Sequence, residues 1–222
     1  MTPVPRVKIC CIGNMEEARL AIRLGASAIG LVSRMPSGPG PIDEELIAEI
    51  AAQVPGRIAT FLLTCHQDVT DIVAQQRRCG TTTLQLCDRL VRGTYADLRR
   101  LLPGVTIVQV IHVTGEEALA EAESVAGDVD ALLLDSGNPA LATKQLGGTG
   151  RTHDWNISRR IRERIGIPVF LAGGLGPANI AAAVREVEPF GVDVCSGVRT
   201  GGMLDEKKAS DFIIRATTVP AA

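Results

Sequence analysis

Two side chains in this sequence sit where a reacting group could use them. Asp135 closes the apolar run Ala131-Leu-Leu-Leu-Asp135, and Cys10 lies towards the end of Val7-Lys-Ile-Cys-Cys-Ile12. A carboxylic acid can give a proton to a leaving oxygen, and a thiol of lowered pKa can serve as base or nucleophile. Each also has a plainer use. An Asp after a strand commonly closes a turn, and a Cys in an apolar run commonly packs as a small hydrophobe. Cys10 and Cys11 point to opposite sides of an extended chain, so one of them faces any given site. Lys8 shares the run and either faces the interior near Cys10, as a candidate substrate contact, or is solvated at the far end.

Glycine-rich turns supply the second kind of chemistry. Pro168-Val-Phe-Leu-Ala-Gly-Gly-Leu-Gly-Pro-Ala-Asn179 and Gly191-Val-Asp-Val-Cys-Ser-Gly-Val198 each carry a strand-length apolar run into a small-residue turn. Where a helix follows such a turn, its first N–H groups lack internal partners and attract anions, phosphate above all. Two such turns on consecutive strands predict one phosphate held between them. A third stretch, Gly147-Gly-Thr-Gly150, is a weaker signal by itself, because glycine pairs mark many ordinary turns.

These groups need a scaffold, and the rest of the chain describes one. Eight apolar runs recur along it: 7–12, 28–32, 58–63, 82–86, 106–111, 131–134, 169–172 and 192–195. Helix-spaced segments alternate with them at 15–24, 43–52, 68–78, 95–102, 116–125, 156–165, 177–187 and 206–216. Asn14 with Glu17, and Thr114 with Glu117, read as capping boxes, and Pro177 suits a first helical turn. Strict strand-then-helix alternation demands parallel strands joined by right-handed crossovers. Eight units favour closure, so the expected fold is an α/β single-domain (βα)8 TIM barrel over residues 1–216, with 217–222 as a C-terminal tail. In that fold the strand tips, hence Cys10 and Asp135, open on the face where barrels do chemistry. The stretches 33–41 and 136–152, after the second and sixth strands, are longer than connection requires and read as binding loops.

Composition narrows the classes of function. Of 222 residues 45% are hydrophobic but only 3% aromatic, so the core is aliphatic, as suits strands covered by helices on both ends of each crossover. A net charge of −2 and no interleaving of basic and aromatic residues argue against nucleic acid as a partner. No run is long enough to cross a bilayer, and no charged-then-apolar leader opens the chain. A cytoplasmic protein is expected. The six cysteines show no C-x-x-C pair, as fits free thiols in a reducing compartment. Cys87, Asp88, His112 and Asp135 would gather at neighbouring strand tips, but without close ligand spacing; no metal site is expected.

Taken together these residues resemble the phosphoribosylanthranilate isomerase family of tryptophan biosynthesis, over roughly residues 7–212. The resemblance is densest in Leu-Leu-Leu-Asp135-Ser, Gly147-Gly-Thr-Gly with Asp154-Trp155, Leu171-Ala-Gly-Gly-Leu-Gly-Pro-Ala-Asn179 and Val192-Asp-Val-Cys-Ser-Gly-Val198; Lys8-Ile-Cys10 and Gln85-Leu86 add to it. It implies an Amadori rearrangement of N-(5-phosphoribosyl)anthranilate without metal or organic cofactor. Asp135 would protonate the ring oxygen, and Cys10 as thiolate would remove the C2′ proton. Gly148, Gly150, Gly173, Gly174, Ser196 and Gly197 would hold the 5′-phosphate. The implied partner is a phosphosugar alone, with no membrane, and the chain is a monomer or homodimer.

Four departures separate this chain from the family pattern. Cys11 stands for a glycine and Gly13 for a threonine; Cys87-Asp88 replace His-Gly; Arg199 replaces a glutamate. The arginine of the family's Ser-Pro-Arg, which binds the anthranilate carboxylate, has its place taken by Pro39, leaving Arg34 or another donor for that task. A divergent isomerase of another phosphosugar and a non-catalytic phosphosugar-binding protein are the competing readings.

Overall fold

The computed structural model describes residues 4–219. Within them strands and helices alternate: β1 Arg6–Ile9, α1 Met15–Arg23, β2 Ala28–Val32, α2 Glu44–Gln53, β3 Ala59–Thr64, α3 Val69–Cys79, β4 Thr83–Leu86, α4 Tyr95–Leu101, β5 Thr106–His112, α5 Glu117–Val125, β6 Ala131–Asp135, α6 Trp155–Arg164, β7 Val169–Leu171, α7 Ile180–Val187, β8 Gly191–Val194 and α8 Glu206–Thr217. A small antiparallel hairpin, β9 Arg199–Thr200 with β10 Met203–Leu204, interrupts the last crossover. The eight main strands form a closed barrel in sequence order. β1 pairs with β2 on one side and with β8 on the other, both in parallel. The expected (βα)8 barrel is therefore the observed one.

Alternation along the strands divides the core into two shells. Outward-facing residues such as Ile9, Ile29, Leu62, Leu84 and Leu132 pack under the helices, where Phe212 of α8 is fully buried. Inward-facing residues such as Phe61, Val108, Val110, Leu133 and Phe170 fill the barrel. Phe61 and Phe170 meet edge to face at 6.0 Å. That filled interior leaves chemistry only at the rims, and the strand C-termini end together at one of them.

Several local expectations are corrected. β1 ends at Ile9 rather than Ile12, because Cys11 adopts a left-handed φ of 61° that no strand can continue through. The box at Thr94–Asp97 is the complete one, with both reciprocal bonds formed. At Thr114 the hydroxyl instead donates to the Glu117 carboxylate, and α5 begins behind Glu116 without a side-chain cap. Asn14 does cap α1, accepting from the Glu17 N–H, but the Glu17 carboxylate reaches Gly13 N–H rather than Asn14. Pro177 lies in the turn before α7, which the Ile180 N–H to Gly176 O bond spans. α8 extends to Thr217, one residue past the expected barrel end, and 220–222 of the expected tail lie outside the described residues.

Candidate active site

Asp135 ends β6 with its side chain in the barrel mouth, almost wholly buried. Its Oδ1 accepts the Ser136 N–H at 2.7 Å, while a Cβ on Gly147 would lie 2.6 Å from Oδ2. The carboxylate is thus oriented by backbone at one oxygen and covered by loop backbone at the other. Burial pushes its pKa above the usual carboxylate range, against the lowering effect of the Ser136 N–H and of His112. A carboxyl that keeps its proton is one that can donate it.

Cys10 follows β1 and is held there by its N–H bond to Val194 O at 2.8 Å. Its thiol overhangs β2: a Cβ on Gly30 would meet Cys10 Sγ at 2.7 Å and Lys8 Nζ at 3.1 Å. Glycine at 30 is what makes room for both groups. Cys10 and Asp135 line the same pocket from β1 and β6, which are separated by β7 and β8 around the rim. Of the two candidates, Cys10 faces this interior over Gly30, while Cys11 turns towards loop 33–41, its Sγ reaching Pro39 O at 3.6 Å.

Lys8 sits one layer lower. It is fully buried and pairs with Asp193 at 3.0 Å, directly across the β1–β8 register, and its Nζ stands 5.0 Å from the Phe61 ring centroid. Burial opposes its charge, but Asp193 and the neighbouring thiols hold the ammonium protonated well above the ordinary lysine range. Asp193 lines this pocket and Lys8 does not, so Lys8 stands as the carboxylate's counter-ion beneath the floor, outside the lining.

The glycine turns converge opposite. Gly148, Gly150, Gly173, Gly174 and Ser196 line the pocket together, and the four glycines all have positive φ, between 61° and 82°. At Gly174 a side chain would also collide with the preceding loop: its Cβ would lie 2.5 Å from the Arg151 carbonyl carbon. Gly197 has a different reason to be glycine, since its Cα packs against Leu175 O and the backbone of Gly176. Ser196–Val198 form one turn of tight helix directly after Cys195, and Ser196 at its start lines the pocket.

The two long loops meet over this pocket. Ser37 Oγ donates to Lys144 O at 2.7 Å, and a Cβ on Gly148 would lie 2.5 Å from Pro39 Cδ. Met35, Leu63 and Leu146 add apolar lining to the pocket. Arg34 is not brought to it. Ser33 turns inward to bond Leu63 O, so alternation throws Arg34 outward, where it lines an outer chamber with Lys144, His66 and Asp88. Met35 and Leu146 are common to both spaces and form the wall between them.

The four residues weighed as metal ligands are otherwise engaged. His112 Nε2 meets Cys87 O, Asp88 holds Lys144, and burial keeps the Cys87 thiol protonated. Sequence reading missed Asp193, whose signal was an acid inside one apolar run matched by a lysine inside another. It also missed Arg199 as a structural brace: its guanidinium bonds Glu17, Cys10 O and Cys11 O. No spacing rule links residues 189 positions apart.

Comparison with known proteins agrees with this geometry. A family model described as N-(5'phosphoribosyl)anthranilate (PRA) isomerase matches residues 7–215. An N-(5'-phosphoribosyl)anthranilate isomerase of Methanosarcina mazei is 37% identical over 95% of this chain and 93% of its own length. That of Haloferax volcanii is 36% identical over 98% and 95%. Among solved structures, the Pyrococcus furiosus enzyme superposes with a TM-score of 0.79 at 27% identity, covering 97% of this chain and all of its own. A phosphoribosyl anthranilate isomerase in complex with reduced 1-(o-carboxyphenylamino)-1-deoxyribulose 5-phosphate gives 0.77 at 26%, covering 96% and 98%. With the barrel, the paired acid and thiol, and a family match spanning nearly all of it, the chain belongs to the N-(5'-phosphoribosyl)anthranilate isomerase family.

Proposed function

We propose that this protein isomerises N-(5'-phosphoribosyl)anthranilate to its 1-deoxyribulose 5-phosphate product, with Asp135 as general acid and Cys10 as general base. The observation that carries the reading is a buried carboxyl and a thiol in one pocket with a glycine cradle. Asp135 protonates the furanose oxygen and the ring C–O bond opens to a Schiff base. Cys10, as thiolate, takes the C2′ proton, and the enolamine tautomerises to the ketose. The 5′-phosphate sits among Gly148, Gly150, Gly173, Gly174 and the Ser196–Gly197 turn. The aromatic ring lies towards Met35, Leu63 and Leu146, with Arg34 and Lys144 the cations on that side.

The test is turnover of substrate generated in situ, followed by the loss of anthranilate fluorescence. Cys10→Ser and Asp135→Asn should each lower kcat by about 10²–10⁴-fold, the usual worth of a positioned acid or base. Because the Asp135 pKa is raised, activity should persist above the ordinary carboxylate range and fall as pH climbs through the raised value. That alkaline limb should vanish in Asp135→Asn; a limb that survives the substitution removes Asp135 from the acid role.

A further inference from the structure

We propose that Cys11 and Cys195 are a modification site: a thiol pair that hydroperoxides oxidise to a disulfide, reversibly shutting the catalytic pocket beside it. Cys11 is the starting point because it is costly where it stands. With φ at 61° it occupies the left-handed region that glycine enters freely and a Cβ-bearing residue does not. Strain of this kind persists where surroundings enforce it, and Arg199 does so. Its guanidinium binds the carbonyls of both Cys10 and Cys11 and is itself pinned by Glu17 at 2.9 Å.

Cys11 and Cys195 stand just beyond the ends of β1 and β8, across the seam where those strands meet. Ile9 pairs with Val194 there, so the residues just beyond both strands emerge side by side. Cys11 and Cys195 both line the catalytic pocket. Cys11 and Cys195 also line a second groove, on the outer side of the seam with Pro39, Gly40 and Arg199, which gives a small oxidant a route that avoids the substrate pocket. Its neighbour Cys11, and then the charge of Arg199, hold the Cys195 thiol below its usual range despite burial. Contact with Cys10 and Cys195 holds Cys11 above its own. One sulfur is thus disposed to attack and the other to resolve.

The chemistry balances with the peroxide as oxidant. The Cys195 thiolate attacks the distal peroxide oxygen; the O–O bond breaks and the alkoxide leaves with a proton as alcohol, or as water when the oxidant is hydrogen peroxide. Cys195 is then a sulfenic acid. The Cys11 sulfur attacks it, the S–S bond forms, and hydroxide departs with the Cys11 proton as water. Two electrons pass from the two sulfurs to the peroxide. Closing the bond draws Cys195 towards Cys11 and shifts the Ser196–Val198 turn that follows it, together with Cys10 on the other flank. A thiol reductant reverses the step.

The test oxidises the freshly reduced, full-length protein with hydrogen peroxide, alkylates the remaining thiols and maps the digested peptides. The expected product is a Cys11–Cys195 cross-link, lighter by two hydrogens, that accumulates in step with the loss of isomerase activity. Dithiothreitol should restore both. Relative to each variant's own starting rate, Cys195→Ser and Cys11→Gly should inactivate roughly tenfold more slowly than the parent. The cross-link map on the parent protein stands even if a variant fails to fold. Oxidation confined to Cys10, a Cys10–Cys11 cross-link, a Cys11–Cys195 cross-link without loss of activity, or equal inactivation rates in folded variants would each overturn the proposal.

Discussion

At the scale of single residues, Cys11 separates what a side chain does from what its backbone demands. A Cβ in the left-handed region costs roughly 1–2 kcal/mol, while glycine elsewhere is entropically worse than alanine by roughly 0.5–1 kcal/mol. At φ 61° the first effect should win. Cys11→Gly is therefore expected to be more stable than Cys11→Ala by about 1 kcal/mol, the reverse of the order in a helix or strand. Urea unfolding of the two variants measures it, and alanine equal to or better than glycine would mean that position 11 is not strained. Asp135 and Cys10 were legible as candidates because one closes an apolar run and the other lies towards the end of one, near where a strand must stop. The place of Arg34 was not legible for a physical reason: the loop around it is fixed by Ser33, whose hydroxyl is buried against Leu63 O, and this inward residue sends its neighbour outward.

At the scale of elements, the eight strands and eight helices could be read because each helix repeats an apolar face every three to four residues and each strand is short and aliphatic. Their ends could not be read as well. The complete capping box fell at Thr94–Asp97 while Thr114–Glu117 made only a side-chain contact, since the choice depends on where the preceding strand releases the chain. The contact between the two long loops was equally invisible: Ser37 and Lys144 are 107 positions apart. That contact makes Gly148 the hinge point of the cover. Its φ is 65°, and an added Cβ would meet the Pro39 ring. Gly148→Ala must then either strain the backbone or lift one loop off the other, at about 1–3 kcal/mol for the strain alone. The expected outcome is a KM for the phosphosugar raised roughly tenfold or more, with a smaller change in kcat, in steady-state assays. A KM that does not move would show that the two loops open independently of the phosphate cradle.

At the scale of the whole molecule, a barrel is defined by the pairing of its first strand with its last, and here that seam carries a charge pair. Lys8 and Asp193 face each other in the β1–β8 register at 3.0 Å, with no exposure at the lysine. A one-residue slip of β8 would place Val192 or Val194 opposite Lys8 and move Asp193 to the helix-covered side. The pair is thus matched only in the native closure register, at the cost of two desolvated charges, and buried ion pairs can mark a register even where they add little net stability. Removing one partner should expose that cost. Lys8→Met leaves Asp193 without its counter-ion beneath the pocket floor and should lower stability by about 3–5 kcal/mol, whereas Lys8→Met combined with Asp193→Leu should recover a large part of the loss. Chemical denaturation of the two variants, with a check that the unfolding slope is unchanged, distinguishes the cases. If the double variant unfolds as early as the single one, or unfolds with a shallower slope, then the apolar pattern of β1 and β8 is insufficient to close the barrel in one register. The ion pair would in that case be part of what determines the fold, and not only a support for the pocket above it.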